Sequence, residues 1–245
     1  MKAVEENIGY KHADYLFRSD DKYAQMKYKI VMSLLPLKTN IRVLNAGCGS
    51  GEMNLILAQN KSWYVEAFDI DNESIALSKK IKDDHGIDNL AIFKSSIQDY
   101  VPSERYDIIV LNDVLEHIED DLGALDKLAQ MLKPDGTICV TVPALQSLYG
   151  YHDEMLGHFR RYNKSNLLRR LSTFFEVVEC RYFGGTLIPA VLVYSRLLRK
   201  PYPSQGNGKS ILGGLLDSLL RFEYRHRLPL GTSLIALGKK KGSQG

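Results

Sequence analysis

Short apolar runs alternate with longer stretches whose apolar positions recur at helical spacing through most of the 245-residue chain. Runs bounded by polar or glycine-rich sequence predict strands at Ile41–Asn45, Trp63–Asp69, Leu90–Ser95, Tyr106–Leu111, Thr137–Val142, Phe175–Tyr182 and Ser233–Gly238. The intervening periodic stretches predict helices near Glu52–Gln59, Ser74–Asp84, Ala124–Leu132 and Lys164–Leu171. Strands that are apolar on both sides and separated by helices belong to a parallel sheet covered on both faces, so the expectation is an α/β, doubly wound, seven-stranded sheet.

The two ends depart from this alternation. Tyr15, Tyr23, Met26, Ile30 and Leu34 lie roughly one turn apart before Pro36, which predicts an N-terminal cap of one or two helices over residues 1–40 ahead of a core at 41–182. Residues 183–232 form a connection too long for neighbouring strands, and long connections usually serve a function. It holds the apolar run Phe183–Tyr194, the loop "RKPYPSQGNGKS" and a second helix with Ile211, Leu212, Leu215, Leu216, Leu219 and Leu220 on one face. Neither segment reaches the roughly 18–20 apolar residues that cross a bilayer. With a last strand at 233–240, the length fits one domain rather than two separate cores.

Composition changes little: with 44% hydrophobic and 25% charged residues, neither a disordered chain nor a membrane bundle is indicated. Three cysteines, with Cys48 in a glycine loop and Cys139 and Cys180 in strands expected to be buried, argue against a disulfide framework and for a cytoplasmic protein. Met1–Glu6 reads as polar sequence without an apolar leader. Charge is more informative. From Arg181 onward there are 11 Lys/Arg against 2 acids, whereas residues 1–180 hold 21 basic and 27 acidic groups, so the last quarter is expected to meet something anionic.

The candidate chemistry begins at "VLNAGCGSGE", Val43–Glu52, where Gly47, Gly49 and Gly51 follow a strand and precede a helix. Such a loop turns sharply and brings a ligand against bare backbone. The third glycine of a dinucleotide fingerprint is replaced by Glu52, an acid that would repel a pyrophosphate at the helix start, and no G-K-S/T ending marks a triphosphate site. What remains is a ligand with a ribose and no phosphate at the loop. Asp69 ends the second strand where an acid can accept from both ribose hydroxyls, and Ile70 can cover an adenine face.

"VLNAGCGSGE", "VEAFDID", "YDIIVLNDVLEHIED" and "LKPDGTICVTVP" together resemble the successive motifs of class I S-adenosylmethionine-dependent methyltransferases over about Ile41–Pro143. The resemblance implies a Rossmann-like sheet, mostly parallel with an antiparallel last strand, and S-adenosyl-L-methionine as cofactor. It also implies that Asn45, Gly47, Cys48, Gly49 and Gly51 approach the amino-acid part of the cofactor and Asp69 the ribose. Ser96 and Ile97 would flank the adenine, and Leu111 and Asn112 would lie near the methionine portion. Asn45 stands where the family usually has an acid, and Ser96 where it often has Asp.

The methyl acceptor must be held in line and, if a hydroxyl, deprotonated. Two clusters offer groups for this: Asp113, Glu116 and His117 after the fourth strand, and "YHDEMLGHFRRY" after the fifth, both expected at the crevice along the carboxyl ends of the strands. His158 is the first candidate for general base, His117 the second, with Asp153 orienting His158. Arg160, Arg161 and Tyr162 are candidates for binding an anionic substrate group, or alternatively pair with Asp153, Glu154 or the following helix. Asp113, Glu116, His117 and His158 would also suit a divalent metal, as in some quinone-precursor O-methyltransferases that this region is similar to, although no metal site is assigned. The pattern D-x-x-x-G-H-x-R-R-Y resembles a methyltransferase subgroup associated with polysaccharide and glycolipid assembly.

The expected acceptor is therefore a hydroxyl of a small molecule, a saccharide or a lipid-linked saccharide, with the basic amphipathic insertion as a membrane contact, a substrate lid or a dimer interface. Nucleic-acid and protein methylation are the first rivals, disfavoured because "NDVL" replaces the D/N-P-P-Y/F motif of amino-methylating enzymes and no stacking platform is evident. A dehydrogenase is disfavoured at Glu52. A non-catalytic cofactor-binding protein is the remaining alternative.

Overall fold

The computed structural model describes residues 21–200 and 211–242. Seven strands form one sheet: β1 (Ile41–Ala46), β2 (Trp63–Asp69), β3 (Leu90–Lys94), β4 (Tyr106–Asn112), β5 (Leu132–Pro143), β6 (Phe175–Phe183) and β7 (Ser233–Lys240). Their order is β3-β2-β1-β4-β5-β7-β6, with β7 antiparallel to both β5 and β6 and the other pairings parallel. The chain runs outward from β1 in both directions, so a crevice opens where β1 and β4 diverge at their carboxyl ends.

Helices α2 (Glu52–Ala58), α3 (Asn72–Asp84), α4 (Asp121–Met131), α5 (Tyr151–Met155) and α6 (Lys164–Phe174) connect these strands. Alternate residues of each central strand feed two apolar clusters. Leu44, Ile109 and Leu111 join Leu125, Leu128, Leu167 and Leu171 of α4 and α6, while Val43, Ile108 and Val110 join Met53 and Leu57 of α2. Burial on both faces is what makes the strand runs continuously apolar rather than alternating.

Several boundaries move for local reasons. Helix α4 starts at Asp121, earlier than periodicity predicts, because the Asp120 side chain accepts from Gly123 N at 2.9 Å and caps it. Strand β5 starts at Leu132, with a register shift against β4 between Tyr106 and Ile108 and Asp135 at φ +60°. Cys139 is buried, but Cys180 is only half-buried because β6 is an edge strand, which corrects the expectation for that thiol.

One N-terminal helix lies among the described residues, α1 (Lys22–Leu34); Tyr15 lies outside them. The Asp21 side chain caps α1 by accepting from Tyr23 N and Ala24 N, and Leu35, which precedes Pro36, is extended as proline demands. Tyr23 anchors the helix, stacking on Phe183 with ring centroids 5.1 Å apart and hydrogen-bonding Ser233 Oγ at 2.7 Å.

The described part of the connection before β7 is largely helical. It runs through α7 (Ile188–Val191), a π-helical turn Leu192–Leu197 and α8 (Ile211–Arg225). The Glu223 carboxylate of α8 accepts from the backbone N–H groups of Gly184, Gly185 and Thr186 and from the Thr186 hydroxyl, pinning the end of α8 to the turn after β6. The leucine face expected on α8 divides: Leu220 is buried and Leu216 half-buried, whereas Leu215 and Leu219 are exposed; the side chains of Ile211 and Leu212 lie outside the described ones. No helix among the described residues is long and apolar enough to cross a membrane.

Candidate active site

The glycine loop is strapped to the end of β2. Gly47 N and Cys48 N both donate to Phe68 O at 2.9 Å, and Gly49 N donates to Asp69 Oδ2 at 2.8 Å. Gly47 and Gly51 are fixed as glycine twice over, by φ of +72° and +97° and by space: a β-carbon would come within 2.6 Å of Val114 Cγ2 and 2.3 Å of Ser78 Oγ, respectively. Glu52 opens α2 and accepts from Ser50 Oγ at 2.7 Å, so a carboxylate occupies the end of the helix where a pyrophosphate would otherwise bind.

The second oxygen of Asp69 accepts from Asp71 N at 3.0 Å. Each carboxylate oxygen thus takes one backbone N–H and keeps further acceptor capacity. Burial raises the Asp69 pKa, opposed by the N–H bonds from Asp71 and Gly49. Beside it Ile70 is 58% exposed, an unusual position for isoleucine and one suited to covering a flat ring.

Asn112, at the end of β4, has a buried side-chain amide with neither its nitrogen nor its oxygen hydrogen-bonded, and the buried Asn45 Oδ1 is likewise unpartnered. The other end of the Asn45 amide donates to Asn54 Oδ1 at 2.7 Å. Three expected cofactor residues do not present side chains to the crevice: Leu111 and Ile97 are buried in the apolar cluster beneath it, and Cys48 is buried with its thiol pKa pushed up to about 12 by burial. Ser96 is committed locally, donating to Asp99 Oδ2 at 2.7 Å and accepting from Asp99 N at 3.0 Å.

Across the crevice the two polar clusters meet. Glu116 and His117 lie in a 3-10 turn, Leu115–His117, and Phe159 N donates to Glu116 O at 2.8 Å, joining the loop after β4 to the loop after β5. The rings of His117 and His158 stand edge to face with centroids 4.6 Å apart. His158 Nδ1 is 2.9 Å from Asp153 Oδ1, an oxygen that also accepts from Arg161 Nε at 2.7 Å, while Gly150 N donates to Asp153 Oδ2 at 3.0 Å. The five-residue separation of Asp153 and His158 closes because α5 and the Gly157 turn, at φ +70°, fold the loop back.

Burial alone would raise the Asp153 pKa, but the bonds from His158 and Arg161 override it and hold the carboxyl below its ordinary range. An ionised carboxylate only accepts, so Nδ1 of His158 carries the proton and Nε2 is left as the basic nitrogen. His117 has no such carboxylate partner. Crowding by protein on its inner side, then the neighbouring His158, push its pKa down to about 4, although its outer edge is exposed.

Glu116 is fully buried and neither carboxyl oxygen has a partner. Burial, then the nearby Asp113 charge, raise its pKa well above its ordinary value, which favours the protonated form. Glu116, His117 and His158 place donor atoms within 4.8 Å of one another. Asp113, the fourth member of the expected metal set, is instead ion-paired with Lys27 Nζ and accepts from Thr141 Oγ1 at 3.0 Å.

Lys27 is the residue that the sequence reading missed. It sits in the buried stripe of α1 between Met26 and Ile30, where a lysine is out of place unless it is paired. Burial alone would lower its pKa, but Asp113 overrides this and raises it.

Arg160, Arg161 and Tyr162 all have protein partners. Arg161 is 5% exposed and gripped by Asp153, while Tyr162 is fully buried and donates to Asp121 Oδ2 at 2.8 Å. Arg160 pairs with the same Asp121 oxygen at 3.0 Å and donates to Glu119 O at 2.8 Å. Arg161 thus takes the alternative pairing, with Asp153, and Tyr162 is turned into the core, whereas Arg160 pairs with Asp121, a partner outside those expected.

A family model described as a methyltransferase domain matches residues 17–179. The chain belongs to this methyltransferase family. The methyltransferase is 27% identical over 103 residues to a ubiquinone biosynthesis O-methyltransferase of Actinobacillus pleuropneumoniae, a match covering 40% of this chain and 43% of the relative, so it spans under half of that protein. Among solved structures it resembles a chain of the complex between the Haloferax volcanii Trm112 methyltransferase activator and a methyltransferase. That match has a TM-score of 0.65 at 15% identity and covers 96% of this chain and 95% of that one. It also resembles coclaurine N-methyltransferase bound to N-methylheliamine and SAH, with a TM-score of 0.62 at 18% identity over 89% of this chain and 72% of the other. At these identities the solved structures carry the fold alone.

Proposed function

We propose that this methyltransferase uses S-adenosyl-L-methionine to methylate a hydroxyl group, with His158 as general base. The observation that carries the reading is the buried Asp153–His158 pair on a loop that the Phe159–Glu116 hydrogen bond joins to the end of β4, beside a sheet whose glycine loop is tied to Asp69. When bound, the cofactor supplies an electrophilic methyl group on its sulfonium. Asp69 would hold the ribose with the acceptor capacity left on its oxygens, Ile70 would cover the adenine, and the unpartnered Asn112 amide is suited to the polar methionine end. Glu52 disfavours any cofactor with a pyrophosphate at the loop.

His158 would take the hydroxyl proton on Nε2 as that oxygen receives the methyl group, the sulfonium sulfur keeping the bonding pair as a neutral thioether, and Asp153 would stabilise the imidazolium that results. His117 is the weaker base, since a pKa near 4 leaves little driving force for accepting a proton at neutral pH. The O-methyltransferase relative supports an oxygen acceptor. Calorimetry with S-adenosylmethionine tests the cofactor, and transfer of labelled methyl to fractionated saccharide, lipid and small-molecule extracts tests the acceptor. Heat with a nicotinamide dinucleotide but none with S-adenosylmethionine would overturn the reading; label found only on nitrogen would overturn its second half.

A further inference from the structure

The inserted helices leave several large apolar side chains in solvent. On α8, Leu216, Leu220 and Glu223 form the stripe turned to the protein, and Leu215, Leu219 and Phe222, at the same i, i+4, i+7 spacing, form an adjoining stripe left in solvent. Leu215 is 57% and Phe222 51% exposed. At the end of the π-helical turn Leu197 is 76% exposed, and the following Leu198 is 50% exposed. Side chains of this size are ordinarily covered, and several on one insertion mark a contact surface.

Charge selects the occupant. Arg199, Lys200, Arg221, Arg225 and Arg227 are all exposed around these stripes. Three of them are ion-paired, Arg221 with Asp217 at 2.8 Å, Arg227 with Glu179 at 2.9 Å and Arg199 with Glu154 at 3.3 Å, and Glu223 is buried under the Gly184–Thr186 turn, so the insertion keeps an excess of positive charge through Lys200 and Arg225. An apolar stripe fringed by cations complements a surface with anionic headgroups above hydrocarbon.

The insertion also reaches the catalytic loop. His152 N donates to Ser195 Oγ at 3.2 Å and Arg199 pairs with Glu154 at 3.3 Å, so the segment bearing Leu197 and Leu198 is fastened to α5, which carries Asp153. Its far end springs from the same Gly184 turn that Glu223 of α8 holds. We infer that the exposed faces of the π-helical segment and α8 seat the protein on an anionic phospholipid bilayer, beside the loop that holds the His158 base. The docking stands on the surface alone; that the acceptor hydroxyl belongs to a lipid-linked molecule arriving from that bilayer rests on the methyltransferase reading above.

Co-sedimentation of the full-length protein with vesicles tests it, without cofactor or acceptor. Vesicles of equal parts phosphatidylcholine and phosphatidylglycerol are expected to carry the protein down at low salt, phosphatidylcholine alone much less, and raised salt should release it. Arg221→Glu with Arg225→Glu should weaken binding at least tenfold, as each basic residue near such a surface is worth about fivefold. Leu197→Ser with Leu198→Ser should weaken it as well. All four side chains are exposed, so an unchanged melting temperature will show that the variants fold. Equal binding to both vesicle types, no binding at low salt, or binding indifferent to both variants overturns the proposal. So does a dimer in sedimentation velocity that the leucine variant dissociates while vesicles go unbound, which assigns the face to a second copy. Because the assay contains no cofactor, failure to bind vesicles and failure to bind S-adenosylmethionine are separate results.

Discussion

Asp153 Oδ1 lies 2.9 Å from His158 Nδ1, and Arg161 Nε holds the same oxygen at 2.7 Å. One carboxylate thus sets the tautomer of the proposed base while being kept ionised by a buried cation. The two functions can be separated by mutation. His158→Ala should lower turnover by about 10²–10⁴-fold, the usual worth of a positioned base, while leaving S-adenosylmethionine affinity unchanged. Asp153→Asn should lower turnover too, but also destabilise the fold by about 3–5 kcal/mol because Arg161 is left buried without its counter-ion. Steady-state kinetics together with denaturant unfolding check both, and full turnover in His158→Ala would remove it as base.

Asp69 bears on binding rather than proton transfer. Asp69→Ala removes charged acceptors, each worth about 1.5–3 kcal/mol, so S-adenosylmethionine affinity should fall by at least tenfold. Isothermal titration reads this directly. An unchanged Kd would place the ribose elsewhere.

Glu116 predicts a pH dependence that needs no substrate. Its folded pKa is raised by burial, above an unfolded value of about 4.3, so the native state keeps a proton that the unfolded chain releases. Its stabilising contribution is complete below about pH 4.3 and is lost as pH rises toward the folded pKa. Glu116→Gln keeps the shape without the titration. The melting temperature of the wild type relative to the variant should therefore decline as pH is raised from 4 to 7, and a constant difference across that range would contradict the protonated assignment.

Lys27 and Asp113 should respond unequally to loss of the partner. Lys27 has a side chain 7% exposed, whereas Asp113 is 37% exposed and keeps Thr141. Asp113→Ala strands a buried ammonium and should cost on the order of 2 kcal/mol, less than the about 3–5 of a fully buried pair because water screens the acid. Lys27→Met should cost less. Chemical denaturation of the two variants measures the difference.

Glu116, His117 and His158 also permit a direct check on metal dependence. With acid–base chemistry alone, dialysis against a chelator should leave methyl transfer unaltered. Activity lost on chelation and restored by added magnesium or manganese would reassign these three donors.

The glycine loop, the acid at the end of β2 and the alternation of strands and helices could be read from sequence because each rests on local physics. Gly47 and Gly51 announce a positive-φ turn, and the central strands announce burial on both faces by their unbroken apolar runs. The arginines were legible only as chemistry. Nothing in "FRRY" says that Arg161 turns inward to Asp153 while Arg160 turns to Asp121, since adjacent residues in a loop have no fixed period. Ile97 and Leu111 both enter the apolar core cluster, a placement that composition alone does not give.

By itself, then, the sequence determined the order of elements, the glycine turn, the carboxylate at Asp69 and a histidine in each of two polar loops. Only the tertiary structure decided which groups meet across it: His117 against His158, Asp153 between His158 and Arg161, and Lys27 of the first helix against Asp113. The physical reason is reach. Local pattern fixes backbone conformation over a turn or a strand, whereas protonation state and pairing depend on desolvation and on charges brought together from distant parts of the chain.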